Sequence, residues 1–417
     1  MRLSTNPFKA RGYRFQWPAD LLTSCAFEME ALILGWYILV ETGSVLLLTV
    51  FGALLFVGTL VSPLFGVAGD RMGHRNVLCA MRAFYVAQAA ALMLVALSGH
   101  LTPLLVLVFT GLMGLVRPSD LGVRVALTAD IVPVGGLTTA MGISRTTSDS
   151  ARVAGALTGA GIFALFGIGP AYIAIVCLYA TGLALTLGIT NMRRRTPAGG
   201  GQVEILRSSA WRDLCEGIAH VWSSPQLLAA TSVALLVNLT AFPLTNGLLP
   251  YVVREIYHLD QTALGYLVAA FSSGALLGSL VVSLRETTRS ALTMLVASAA
   301  WHAFLLVFAQ MQSLSGGILL LLAAGFAQSF CIVSLTVLLL RTSHEHFRGR
   351  VIGVRMLAIY TLPIGLLAAG ALIGYVGFAA TASIYALTGL IFTALIALKW
   401  HAGLWPRRSQ RMRARPG

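Results

Sequence analysis

Negative charge is scarce in this 417-residue chain. Fifteen Asp and Glu stand against 29 Lys and Arg, and charged residues of both signs make up only 11%. Soluble domains carry about 25%, so an ordinary water-facing surface is excluded. Cysteine is sparse as well. Cys25, Cys79, Cys177, Cys215 and Cys331 are odd in number, dispersed and without metal-ligand spacing, which argues against a disulfide framework or a zinc module. No phosphate loop, metal cluster or nucleophile-base pair occurs, so no enzyme, cofactor or metal site is expected. Inside the chain a single long polar interval, 192–226, breaks the apolar sequence.

Apolar residues are what the chain has in excess, at 57%. They form twelve runs, 20–40, 44–65, 77–98, 103–127, 139–166, 170–191, 227–250, 262–284, 290–311, 316–341, 349–374 and 379–400. Each is long enough to cross a bilayer, which takes about 20 residues. Most basic residues lie in the two tails or in every second gap, and Arg254 alone occupies a gap of the other set. Lys and Arg near span ends are retained on the cytoplasmic side, so both tails are expected inside and the number of spans even. Residues 1–19 are basic and polar with no small-residue cleavage site after the first run, so that run reads as a retained span. The charge of +14 sits in juxtamembrane stretches, where anionic lipid and not nucleic acid is the expected counterion. The expectation is an all-α inner-membrane protein with twelve transmembrane helices.

The polar interval separates six runs from six. It predicts an N-terminal six-helix bundle over 1–191, a cytoplasmic linker over 192–226 and a C-terminal bundle with a basic tail over 227–417. Leu206, Ala210, Leu214, Ile218 and Trp222 recur every fourth residue within the linker. That stripe fits either a helix lying in the inner leaflet or a plain tether between bundles. Six plus six with a cytoplasmic linker is the layout of secondary transporters built from repeats.

Between the second and third runs stands Gly66-Val67-Ala68-Gly69-Asp70-Arg71-Met72-Gly73-His74-Arg75. It resembles the hallmark loop of the major facilitator superfamily, Gly-x-x-x-Asp-Arg-x-Gly-Arg-Arg, with His74 in place of the first terminal arginine. Gly66 and Gly73 allow close approach and a tight turn; Asp70 can meet the N-terminal end of a helix; Arg71 and Arg75 can pair with acids or lipid phosphate. The resemblance implies a latch on the cytoplasmic face, with Asp70 near the start of the eleventh span, here Phe347-Arg348-Gly349-Arg350-Val351-Ile352-Gly353. That segment and Leu39-Val40-Glu41-Thr42-Gly43-Ser44 are similar to the efflux branch that includes enterobactin and macrolide exporters. The matching loop of the second half, Leu284-Arg285-Glu286-Thr287-Thr288-Arg289, lacks the Asp-Arg pair.

Charges inside the runs each need a partner or a purpose, since one at a span centre costs about 2.5–3.5 kcal/mol. Glu28 and Glu30 lie about 12–15 Å along the first helix from Asp20 and diverge by roughly 200° around it. A carboxyl in a low-dielectric layer can load and release a proton near physiological pH, so the pair is a candidate for proton coupling or substrate contact. The competing reading is that one of them neutralises an intramembrane arginine such as Arg82. Arg117, Asp120 and Arg124 share one helical face, as do Arg145, Asp149 and Arg152. These six read as a salt-bridge network at the cytoplasmic gate, with Arg117, beside Pro118, the candidate substrate or coupling residue.

Weaker signals remain. Gly155-x-x-x-Gly159-x-Gly161 permits close helix packing. His302 reads as a packing residue. Asn238, Asn246, Gln328 and Ser329 are possible cavity-lining residues in spans that line the cavity of the family resembled. Trp36 and Tyr37 read as interface anchors. The leading expectation is a monomeric exporter that moves a small amphipathic molecule outward by proton antiport and alternating access. An uptake symporter or lysolipid flippase on the same fold is the alternative within transport. A non-transporting receptor or scaffold, which needs no mid-bilayer carboxylate, is the alternative of another class.

Overall fold

The computed structural model describes residues 6–189, 210–284, 290–343 and 348–400, and no strand occurs among them. Helix α1 (Arg11–Thr42) opens the fold and ends at Gly43, whose left-handed φ of 63° lets its N–H reach the Leu39 carbonyl at 2.9 Å. Ser44 then caps α2 (Val45–Leu54), which passes through a 3₁₀ turn into α3 (Ser62–Met72). Gly73, at φ 88°, turns the chain into α4 (His74–Leu97). Thr102 caps α5 (Pro103–Ile131); α6 (Val134–Phe166) stops at Gly167, and α7 (Ile168–Leu187) follows.

Within the interval read as the linker lies α8 (Ala210–Ser223), and α9 (Pro225–Thr240) follows. The seventh run continues through a π turn at Pro243–Gly247, the single turn α10 (Leu249–Tyr251) and a second π turn at Val252–Ile256. Then follow α11 (Gln261–Leu284), α12 (Ser290–Phe308), α13 (Leu314–Thr342), α14 (Arg348–Leu357) and α15 (Thr361–Lys399).

Nine helices among the described residues are long and apolar enough to cross a membrane. One of them, Gly353–Lys399, has 47 residues and would reach about 70 Å, twice a bilayer core; it breaks at Gly377, whose φ is 79°. The second run is split at its 3₁₀ turn. The fifth, α6, is long enough at 33 residues but carries Arg145, Asp149 and Arg152. Counting these, the helices are compatible with twelve crossings. Large apolar side chains such as Leu104, Leu165 and Leu284 are exposed, as a lipid-facing surface requires.

Packing groups the chain into two compact units, Met1–Gly200 with Gly247–Ser273, and Gly201–Asn246 with Gly274–Gly417. In the first, α1 packs against α5, α6 and α7. In the second, α12 packs against α13 and α15, and the ring of buried His302 lies directly against Gly389. His302 shares a hydrogen bond of 2.9 Å with Thr240 and meets the Ser298 carbonyl at 2.8 Å, so both ring nitrogens are satisfied in its packing.

Candidate transport site

Small residues on α6 bring α1 close enough to build the site. At Gly155 an added Cβ would lie 2.7 Å from the Cys25 carbonyl oxygen and 2.9 Å from the Glu28 Cβ; at Gly159 it would lie 3.0 Å from Met29. The two glycines therefore seat α1 backbone to backbone on α6. Gly161 has nothing within 4 Å and takes no part. This approach lets side chains of α1 reach charges on α5 and α6.

Glu28 and Glu30 diverge into opposite environments. The Oε1 of Glu28 lies 3.6 Å from Arg117 Nη2 and 3.5 Å from Arg152 Nε, and all three side chains are partly exposed. Arg117 also stacks over the Phe27 ring, its Cζ 5.0 Å from the centroid. Glu30 is buried. Its oxygens accept from Tyr172 Oη at 3.3 Å and Tyr179 Oη at 2.8 Å, both on α7. Phe27, Tyr85 and Tyr179 form an edge-packed aromatic cluster beside it.

Glu28 thus lies against two arginines of the apolar runs, Arg117 and Arg152, but Arg82 meets neither glutamate: it donates to Asp20, and also to Thr186 and the Gly182 carbonyl. In the sequence Asp20 reads only as the edge of the first run. It stands on the same face of α1 as Ser24, which accepts from Arg124 Nη1 at 2.9 Å, and Arg124 Nε lies 3.6 Å from Asp20 and pairs with Asp120. The i, i+4 placement of Asp20 and Ser24 was the available signal. Arg145 and buried Asp149 pair at 3.2 Å along α6, with Arg145 half exposed. Arg117, Arg124, Arg145 and Arg152 thus outnumber Asp120 and Asp149, and α1 supplies two more acids, Asp20 and Glu28.

At the family loop, Gly66 falls within α3, while its surroundings and the side chain of Asp70 lie outside what is described, as do residues 285–289 and the side chains of Arg348 and Arg350. Arg71 is exposed. Among the described residues Arg75 meets no acid; its Nη2 donates at 2.7 Å to the carbonyl of Leu187, the last residue of α7, where the helix dipole favours a cation. His74 Nδ1 lies 2.7 Å from Asp130 Oδ2 near the end of α5, a partnership absent from the sequence-based expectation. Arg254 donates to the Leu39 carbonyl at the end of α1 and lies 3.5 Å from Glu255, so the cation that departs from the alternating pattern has two partners.

The possible cavity-lining residues spend their polarity in different ways. Asn238 donates to its own helix at Ala234 (2.9 Å) and Ser329 to the Ala275 carbonyl (2.6 Å). Gln328 is buried with its Oε1 unpartnered among the described residues, and Asn246 is exposed in the π turn. The Tyr37 hydroxyl donates to the Leu101 carbonyl at 2.7 Å, while Trp36 is buried.

A helical fold that stores ion pairs inside its apolar spans, and beside them an acid with no cation within 4.0 Å among the described residues, is that of a membrane transporter. The sequence profile of the Major Facilitator Superfamily matches residues 18–366, and the chain belongs to that family. It is 30% identical over 366 residues to the multidrug efflux pump Tap of Mycolicibacterium fortuitum, covering 83% of this chain and 85% of that protein. It is 24% identical over 280 residues to macrolide efflux protein A of Streptococcus pyogenes, 67% of each chain. Among solved structures, the nucleoside transporter NupG superposes with a TM-score of 0.71 at 14% identity, covering 94% of this chain and 98% of its own. The POT family transporter PepTSo gives 0.72 at 12% identity, covering 94% and 98%. These two likenesses carry the fold alone. The protein is therefore a multi-pass membrane transporter of small molecules, not an enzyme.

Proposed function

We propose that this transporter exports a small amphipathic molecule by proton antiport, with Glu28 as the group that exchanges proton for substrate. The carrying observation is the partly exposed Glu28 carboxylate held by both Arg117 and Arg152. A proton on Glu28 cancels its charge and frees two guanidiniums; a substrate that displaces the proton meets the same groups in the opposite charge state. That exclusion of one cargo by the other is what antiport needs. The names of Tap and macrolide efflux protein A support the outward direction.

On this reading the chain lies in the inner membrane with both termini cytoplasmic, and alternating access divides it into the bundles 1–191 and 227–417 across the linker 192–226. Asp120, Arg124, Arg145, Asp149 and Arg152, with Asp70, Arg71 and Arg75 of the family loop, act at the cytoplasmic gate. Anionic lipid binds the basic margins, and the working unit is the monomer.

The test is transport in proteoliposomes under an imposed pH gradient, with a macrolide and a lipophilic cationic dye as probes. Gradient-driven flux should appear in the wild type and vanish in Glu28→Gln, while uncoupled exchange persists. Undiminished gradient-driven flux in Glu28→Gln would refute the assignment, and flux running with the proton would replace the antiporter by a symporter.

A further inference from the structure

We propose that Glu30, enclosed by Tyr172 and Tyr179, is a second proton-binding site, occluded and distinct from Glu28, and that Arg117 is the cation the two carboxyls share. The proposal deepens the proton-coupled reading and takes its purpose from it, but the proton on Glu30 is measurable by itself.

Burial without a contacting cation is the first observation. Asp20, Glu28, Asp120 and Asp149 each have an arginine within 3.6 Å. Glu30 has none within 4.0 Å among the described residues and is 6% exposed. An ionised carboxyl in that setting is costly, whereas a proton removes the charge.

The second observation is the cage itself. Phenol hydroxyls both donate and accept. With Glu30 ionised, Tyr172 and Tyr179 each donate to one oxygen. With Glu30 protonated, Tyr179 still donates at 2.8 Å while the carboxyl O–H points to Tyr172 Oη at 3.3 Å. One set of heavy-atom positions thus serves both states, so proton exchange requires no repacking. The proton comes from hydronium and leaves to water; the O–H bond on Glu30 is the one made and broken.

A third observation connects the cage to a crevice. Glu30, Phe27, Phe51, Gln88, Met113 and Arg117 line one cleft in the first unit. Gln88 Oε1 and the hydroxyl of Tyr85, both on α4, are buried without a hydrogen-bond partner among the described residues, and the Tyr85 ring lies 5.8 Å from that of Tyr179. Gln88 thus puts a polar group in the cleft that Glu30 lines. The charged and titratable groups around Glu30 are therefore Tyr172 and Tyr179 from α7, Tyr85 from α4, Arg117 from α5 and Glu28 from its own helix; α2 presents apolar Phe51.

Arg117 lines this cleft and is also 3.6 Å from Glu28. While Glu30 is ionised, it competes with Glu28 for that guanidinium. Loading Glu30 returns Arg117 wholly to Glu28, so the buried proton tightens the exposed ion pair.

Infrared difference spectra of the full-length protein in liposomes, stepped from about pH 9 to about pH 5 to span the range a perturbed carboxyl covers, test this without any substrate. Among the protonated-carboxyl C=O bands that grow in the wild type, one should be lost in Glu30→Gln, remain in Glu28→Gln, and move to higher frequency in Tyr179→Phe, which removes a donor from that carbonyl. Survival of every band in Glu30→Gln, or a Tyr179→Phe spectrum identical to the wild type, would overturn the proposal. Loss of the band in Glu30→Gln together with intact gradient-driven flux would uphold the site and instead remove its place in antiport.

Discussion

Replacing Asp20 with Asn tests the ion-pair network at its least replaceable point. Arg82 is 1% exposed, and Asp20 is its sole acidic partner among the described residues. Asn keeps the shape and a hydrogen-bond acceptor but removes the negative charge. Stranding a buried guanidinium in this way costs about 3–5 kcal/mol. Arg124, 3.6 Å from Asp20, keeps Asp120, so the loss falls mainly on Arg82. In a long chain each kcal/mol shifts the midpoint by about 2 °C, which gives a loss of about 6–10 °C. The assay is thermal unfolding in detergent followed by a thiol-reactive fluorophore, for which fully buried Cys331 is a built-in reporter. Removing both charges in Asp20→Asn with Arg82→Met should recover most of the loss, because a matched apolar replacement of a buried pair is close to neutral. A shift of about 1 °C or less in Asp20→Asn, or a double variant no more stable than the single one, would refute the reasoning.

Two further outcomes follow from the helix contacts and the family loop. Gly155→Val should push α1 away from α6 at Glu28, lowering stability by about 1–3 kcal/mol and cutting gradient-driven flux, whereas Gly161→Ala, with open space around it, should leave the melting midpoint unchanged. Asp130→Asn removes the acid that His74 Nδ1 meets at 2.7 Å and should change the transport rate while leaving the melting midpoint within about 2 °C; an unchanged rate would exclude a gating role for this pair.

Much of the architecture was legible before any coordinates. Apolar runs long enough to span, the tight turn at Gly73, and the Gly155–Gly159 seam each follow from properties of single residues or short spacings. The divergence of Glu28 and Glu30 follows from helical pitch. Their partners do not. Tyr172 and Tyr179 are more than 140 positions from Glu30 in sequence, and tyrosines in an apolar run look like any other core aromatic. Asp130 and Asp20 sit at span ends, where an acid ordinarily faces water and attracts no notice. The split of the second run, the π turns after α9 and the grouping of Gly247–Ser273 with the N-terminal unit likewise depend on neighbours, not on local pattern.

The order of residues, taken alone, determined a membrane-crossing helical chain of the major facilitator type, because bilayer thickness and backbone hydrogen bonding act on each segment separately. Only the packed structure decided which acid meets which arginine. An ion pair across helices depends on the depth and rotation of two segments far apart in the chain, and those are set by the small residues that let one helix lie against another. Glu28 consequently shares its charge with two guanidiniums, while Glu30, two positions on, rests between phenols.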